Sequence, residues 1–174
     1  QQNRIWPIYD PYFNQTTLML HGNGTNGAQN NTFLDSSTNN FTITRNGNTT
    51  QGSFTPFSQT GWSAFNVGTS SYCQLNNADY SIGTGDFTIE LWMLVTTDKA
   101  NNCFCSATSN PNLTFALSGG STNARPIYLE YSGGTSIGTV SGYLNTWTHI
   151  AVVRSSGTVT AYQNGVAIGS ASKA

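Results

Sequence analysis

Charged side chains are scarce in this chain. Only 7% of its 174 residues are charged, against roughly 25% in an average soluble protein. The six Lys and Arg residues are scattered along the sequence. Because binding to phosphate groups needs clustered cations, this pattern excludes nucleic acid as a partner.

Long apolar runs are also absent. No stretch approaches the ~20 apolar residues of a membrane-spanning helix, so we expect no membrane insertion. The chain begins with Gln-Gln-Asn, without Met and without the apolar core of a signal peptide. It ends in GSASKA, a segment with no clear strand or cap. We therefore expect a processed chain or a part of a longer one.

Cysteine is rare, and its number is odd. The three cysteines are Cys73, Cys103 and Cys105. They form no evenly spaced disulfide framework, and no second Cys or His pair completes a zinc site. Free or buried thiols are the first interpretation, and a single disulfide from Cys73 to the later pair is the alternative.

Uncharged polar residues fill most of the remaining sequence, with 25 Thr, 20 Asn and 19 Ser. Hydrophobic residues still make up 37% of the chain and aromatic residues 12%, which favours a packed interior over a disordered chain. This length suits one domain with a core of its own.

Alternation of apolar and polar residues predicts β-strands. In residues 87–96, every second side chain from Phe87 to Val95 is apolar, whereas Glu90 and Trp92 lie on a mixed second face. Strands are also predicted at 147–154, at 158–163 and from Val166 onward, with Asn-Gly at 164–165 as a tight hairpin turn. No segment shows the helical period.

Weaker strands are predicted at residues 18–21, 41–45, 72–75, 112–117 and 127–131, separated by Gly- and Asn-rich loops. Many short antiparallel strands at this spacing predict an all-β protein, a sandwich or jelly roll. Residues 1–17 carry two prolines and four aromatic residues. We expect them to form an extended N-terminal arm that lies on the sandwich or on a neighbouring subunit.

Three motifs, in this order, resemble the laminin-G-like branch of the concanavalin A-like lectin/glucanase superfamily. They are LMLHGNG followed by FLDSS (18–24 and 33–37), GTGDFTIELW (83–92), and LNTWTHIAVVR running on to YQNG (144–154 and 162–165). The resemblance implies an antiparallel β-sandwich of two curved sheets over residues 18–174. Members of this superfamily continue with further strands, so the sandwich is expected to be C-terminally incomplete.

Residues 35–50, together with FTPF at 54–57 and Gly-Trp at 61–62, are similar to laminin-G-like segments of marine bacteriophage (cyanophage) virion structural and tail proteins. This resemblance implies a non-enzymatic virion structural protein of a tail, a fibre or a surface decoration. Its sandwich would make assembly contacts or adhere to host glycans. Its partners would be copies of itself, other virion subunits and glycans, and its location the virion.

The alternative is an extracellular, calcium-dependent carbohydrate-binding or adhesion module of cellular origin, secreted or at the cell surface. Several lectin-like members hold calcium with loop carboxylates and carbonyls. Asp35 is the first candidate ligand for calcium and Asp86 the second. The competing interpretation of Asp35 is a turn residue that binds its own backbone.

No catalytic residues are predicted. A glycosidase normally needs two carboxylates flanking the bond, but the only glutamates, Glu90 and Glu130, fall on separate strands. The Glu-x-Asp-x-Glu strand of the glucanase branch is missing. GTSIG at 134–138 matches a nucleophile elbow by chance, since no helix is predicted after it.

For sugar binding, aromatic side chains would serve as stacking platforms. Trp92 and Trp147 are predicted to pack in the core or between the sheets. Trp62, in a polar stretch, is the candidate for ligand binding. The two histidines, His21 and His149, are expected to be hydrogen-bonded strand residues and not metal ligands.

Overall fold

A computed structural model describes residues 10–22, 32–52, 54–57, 63–66, 71–75, 85–99, 101–107, 113–130 and 134–173. The chain divides into two compact units, Gln1–Asn77 and Ala78–Ala174. The predicted all-β class is confirmed, since the described residues form antiparallel strands and one short 3-10 helix. Within these ranges, no helix has the length and apolarity to cross a bilayer.

The first unit contains three two-stranded antiparallel pairs among its described residues: β1 with β2, β3 with β6, and β4 with β5. Before them, the 3-10 helix Phe13–Gln15 lies within the predicted arm, and the predicted boundary at residue 17 stays a prediction. The strands are β1 (Leu20–His21), β2 (Leu34–Asp35), β3 (Ile43–Asn46), β4 (Thr50–Gly52), β5 (Ser63–Phe65) and β6 (Tyr72–Leu75).

Cys73 lies on β6 of this unit as an unbridged, half-buried thiol, which favours the interpretation without a disulfide. Burial raises the pKa of this thiol, because a low-dielectric environment disfavours the thiolate, and the nearby Arg45 only partly offsets this effect.

The second unit contains two four-stranded antiparallel sheets among its described residues. One has the order β14-β13-β12-β7 and the other β11-β10-β9-β8. The strands are β7 (Phe87–Met93), β8 (Asn101–Ala107), β9 (Leu113–Ser118), β10 (Ala124–Glu130), β11 (Gly134–Ser141), β12 (Thr148–Ser155), β13 (Thr158–Gln163) and β14 (Val166–Ser172).

The core of this unit lies between the two sheets. Alternate residues of β12, such as Ile150 and Val152, are fully buried, and they meet the inward residues of β9 and β10. Burying one such side chain stabilises the fold by about 1.5–3 kcal/mol. The largest fully buried side chains of this core are Tyr143, Phe115, Leu117, Ile127, Leu129, Ile137, Ile150, Val140, Val152 and Val159.

The strongest strand predictions are confirmed, and so is the weaker one at 72–75. β6 and β13 have the predicted bounds, β12 begins one residue later than predicted, and β7 begins where predicted but ends at Met93. Strands β2, β4, β5, β8 and β11 were not predicted. The segment GTSIG belongs to β11, so it is an extended strand and not a nucleophile elbow.

Candidate functional site

The outward side of the sheet β14-β13-β12-β7 carries the candidate site. The cross-strand register aligns the non-core residues of three adjacent strands on this side, because cross-strand partners share a face. We call this surface the tryptophan face; its side chains are Thr88, Glu90, Trp92, His149, Ala151, Val153, Thr160 and Tyr162.

Trp92 is exposed at the end of β7. Its residue is 42% exposed, so the prediction that it packs in the core is wrong. The predicted alternation is nevertheless correct, because Met93 beside it is buried in the core and Trp92 points the other way. Trp147, by contrast, is partly buried.

His149 is the cross-strand partner of Trp92. The two rings lie 5.3 Å apart between centroids and are tilted by 46°, a separation typical of favourable aromatic contacts. This packing limits the rotation of the indole, and a ring held in place loses less conformational entropy when a ligand binds on it.

Glu90 lies two residues before Trp92 on the same face. Its Oε2 atom is 3.2 Å from Nε2 of His149. Because a carboxylate only accepts hydrogen bonds, the imidazole donates from Nε2. The predicted role of His149 as a hydrogen-bonded strand residue is confirmed. Glu90 lies on the mixed face predicted for its strand, and its side chain is 63% exposed. The other carboxylate oxygen, Oε1, stays available to a ligand.

The backbone at His149 is fixed by the turn between β13 and β14. The amide N–H of His149 donates to Oδ1 of Asn164 at 2.9 Å, and the amide N–H of Asn164 donates to the carbonyl of His149 at 2.9 Å. Asn164 and Gly165 have φ values of +49° and +79°, as the predicted Asn-Gly hairpin turn requires. A rigid strand and a tight turn therefore position the imidazole beside Trp92.

Comparison with protein families identifies the superfamily of this fold. The family model Laminin_G_3, described as concanavalin A-like lectin/glucanases superfamily, matches residues 67–174, which is more than half of the chain. The chain belongs to this superfamily. The match confirms the laminin-G-like resemblance seen in the sequence, whereas the bacteriophage resemblance stays a prediction.

A solved structure shares the fold of this lectin/glucanase-superfamily chain. It is domain 4 of AbnA, a GH43 extracellular arabinanase from Geobacillus stearothermophilus, in complex with arabinotriose. The TM-score is 0.58 at 23% sequence identity, over 79% of this chain and 68% of that one. At this identity the likeness shows the fold alone. Comparison with curated proteins finds no match.

Asp35, the first predicted calcium ligand of this superfamily member, is buried and bonded within its own chain. Its Oδ1 accepts from the amides of Met19 and Ser37, both at 2.9 Å, and its Oδ2 accepts from the Ser37 hydroxyl at 2.8 Å and the Phe41 amide at 2.9 Å. Burial opposes ionisation, but these hydrogen bonds outweigh it and lower the pKa of Asp35. The arrangement is that of a turn residue that organises its own loop.

Asp86, the second predicted calcium ligand, is an exposed residue of the second unit. Its Oδ1 accepts from the amide of Ser156 at 2.9 Å and lies 3.6 Å from Nη1 of Arg154. Within the described ranges, no group of three or more His, Cys, Asp or Glu side chains converges as a metal site would require. Calcium binding stays a prediction, and Trp62, the predicted ligand-binding residue, lies outside the described residues.

A buried ionic network in the second unit was not foreseen. Oδ1 of Asp98 accepts from Nε of Arg125 at 2.6 Å and from the hydroxyl of Tyr143 at 2.7 Å, and its Oδ2 accepts from the amide of Asn123 at 3.0 Å. The hydrogen bond from Arg125, with smaller help from Tyr143 and Asn123, lowers the pKa of Asp98 to about 2. Burial, and then the Asp98 carboxylate, raises the pKa of Tyr143 to about 12. The network is buried, and its hydrogen bonds stabilise the fold.

Proposed function

We propose that this chain is a non-catalytic carbohydrate-binding module and that its tryptophan face binds the glycan. The observation that carries the proposal is the exposed indole of Trp92 next to the hydrogen-bonded pair of Glu90 and His149. The C–H faces of a sugar ring stack on an aromatic ring, while its hydroxyls need nearby acceptors and donors for orientation. Trp92 supplies the stacking surface, and the carboxylate of Glu90 supplies the acceptor.

The fold supports the same proposal. Domain 4 of the arabinanase shares the architecture and was solved with a bound trisaccharide. A sandwich of this class can therefore carry a site for a saccharide.

We propose binding without hydrolysis. Glycosidases hold two carboxylates about 5–10 Å apart across the scissile bond. The tryptophan face has a single carboxylate, Glu90, whereas Glu130 is on β10 in the other sheet and Asp98 is buried in its ion pair. Incubation with the bound oligosaccharide should release no new reducing ends. Cleavage that is lost in Glu90→Gln would contradict this part of the proposal.

The first test is Trp92→Ala in titration calorimetry against soluble polysaccharides and their oligosaccharides. Removing the stacking surface should weaken binding at least roughly tenfold, equivalent to about 1.4 kcal/mol. The matched control is Tyr128→Ala, which removes an aromatic ring from β10, in the opposite sheet of the second unit. That variant should bind as the unmodified protein does. If Trp92→Ala binds as tightly as the unmodified protein and has the same melting temperature, the tryptophan face is not the glycan-binding site.

The setting of this function rests on sequence resemblance. A virion structural role in a tail, fibre or surface decoration would use the same face for adhesion to host glycans, and a secreted module of cellular origin would use it in the same way. Repeating the titration with calcium and with a chelator distinguishes the calcium-dependent alternative, since only that alternative predicts loss of binding on chelation.

A further inference from the structure

The centre of the tryptophan face is recessed. Ala151 on β12 is the cross-strand partner of Glu90 on β7 and of Tyr162 on β13. Its methyl group is the smallest outward side chain of this row, with longer side chains on both sides, and the residue is only 6% exposed. The row therefore forms a shallow trough with Ala151 as its floor. Trp92 and Glu90 flank one side of the trough, and Tyr162 flanks the other.

The two aromatic residues of the trough are too far apart for one sugar ring. Strand β12 lies between β13, which carries Tyr162, and β7, which carries Trp92. On β12, the partner of Tyr162 is Ala151 and the partner of Trp92 is His149, so the two aromatic residues are also offset by two residues along the strands. With strands about 4.8 Å apart and a rise of about 3.3 Å per residue, their backbones are separated by about 12 Å. A ligand that contacts both rings must be a chain of sugars that runs across the strands.

The charges of the tryptophan face select against acidic sugars. Its eight outward side chains include the carboxylate of Glu90 but no Lys or Arg. A uronate or sulfate group bound in the trough would face this carboxylate without a guanidinium or ammonium group to pair with. Unpaired like charges at an interface are unfavourable, whereas the hydroxyls of neutral sugars can donate to Glu90.

We infer that the ligand of the tryptophan face is an uncharged oligosaccharide that lies across the strands, from Trp92 over Ala151 to Tyr162. This inference rests on the proposed function and adds the length and the charge of the ligand. Tyr162 is then the second stacking platform, and Glu90 determines specificity as well as orientation.

The test titrates the full chain with three oligomer series of one to six units: arabino-oligosaccharides, cello-oligosaccharides and oligogalacturonates. Within a neutral series, affinity should rise at least roughly tenfold between the monosaccharide and the longer chains, as the second platform is reached. Oligogalacturonates of equal length should bind at least roughly tenfold more weakly. Glu90→Gln keeps the shape of the side chain but removes its charge, so it should reduce the difference in affinity between neutral chains and oligogalacturonates.

Two variants test the path of the chain. Tyr162→Ala should remove the dependence on length, so that the longer chains bind no more tightly than the monosaccharide. Ala151→Leu should fill the trough and weaken the longer chains selectively. Melting temperatures establish that both variants fold, and Val166→Ala, in an exposed residue at the start of β14, serves as the control that should change neither affinity nor length dependence.

The outcomes separate the inference from the proposed function. If oligogalacturonates bind as tightly as the neutral chains, or monosaccharides as tightly as hexasaccharides, the inference is overturned and the proposed function stands. If no series binds, both are overturned. A neutral preference with a length dependence that Tyr162→Ala removes supports both.

Discussion

Gly138→Ala is expected to destabilise the second unit by about 2–5 kcal/mol. Gly138 has a φ of +65°, a left-handed conformation that costs an L-residue about 1–2 kcal/mol. A Cβ atom at this position would lie 2.6 Å from the carbonyl oxygen of Ile168 and 2.7 Å from its carbonyl carbon. These are backbone atoms of β14, so no side chain can move aside, and overpacking adds about 1–3 kcal/mol or more.

The contact between β11 and β14 explains why this position matters. β11 ends one sheet of the second unit and β14 ends the other, and a Cβ on Gly169 would in turn lie 2.7 Å from Cα of Gly138. The side-chain amide of Gln163 adds two hydrogen bonds to the backbone of Ser141, at 2.7 Å and 3.2 Å. Two glycines thus allow the backbones of the two edge strands to touch, which closes this side of the sandwich.

Gly142→Ala provides the matched control for Gly138→Ala. Gly142 has the same φ of +65°, but a Cβ there would meet no heavy atom within 4 Å. Urea unfolding should therefore give a loss of about 1–2 kcal/mol for Gly142→Ala, from the backbone conformation alone. Gly169→Ala tests the close approach without a positive φ. Equal losses in Gly138→Ala and Gly142→Ala would show that β11 and β14 are not in backbone contact.

The sequence predicted those strands whose apolar residues recur at every second position. In β7, β12 and β13 the side chains that enter the core alternate without interruption. Burial of one face dictates this period, so the amino-acid order alone reveals it. The Asn-Gly turn added a second local signal, since its φ values match the twist of the hairpin.

Strand β11 escaped prediction because its period is broken. Its core residues, Ile137 and Val140, are three positions apart, since Gly138 is an extra residue opposite the register shift between Pro126 and Ile127. A bulge of this kind inserts one residue into a strand and reverses the faces of those that follow. Two glycines and four hydroxyl residues in eight positions then resemble a loop. Only the neighbouring strand β10 shows that this segment is extended.

The candidate site could be predicted from the sequence only in part. Alternation placed Glu90 and Trp92 together on the mixed face of β7, but a tryptophan in a strand is usually buried to a large extent. The exposure of Trp92 depends on which elements cover that face, and the sequence of β7 does not contain this information. The pairing of His149 with Trp92, and of Tyr162 with Ala151, depends on inter-strand register and was therefore not available from the sequence.

Asp98→Asn is expected to lower the melting temperature at neutral pH by roughly 10 °C. The substitution keeps the shape of the side chain but leaves the Arg125 guanidinium without its counter-charge at a site where only 9% of the arginine side chain and 5% of the aspartate side chain are exposed. It also weakens the acceptor of the Tyr143 hydroxyl. Asp86→Asn, a change at an exposed carboxylate, is the control and should shift the melting temperature far less.

The difference in melting temperature between the unmodified protein and Asp98→Asn should disappear in acid. The pKa of Asp98 is lowered from its ordinary value of 3.8 to about 2 in the folded chain, so the unfolded state binds the proton more readily than the folded state. Its contribution to stability is then fully present above about pH 4 and is lost as the pH falls to about 2. The melting temperatures of the unmodified protein and Asp98→Asn should therefore converge over this interval. Asp35, whose pKa is also lowered, keeps some acid sensitivity in both proteins. If the difference between the two melting temperatures stays constant down to pH 2, the carboxylate of Asp98 is not the charge that holds Arg125 in place.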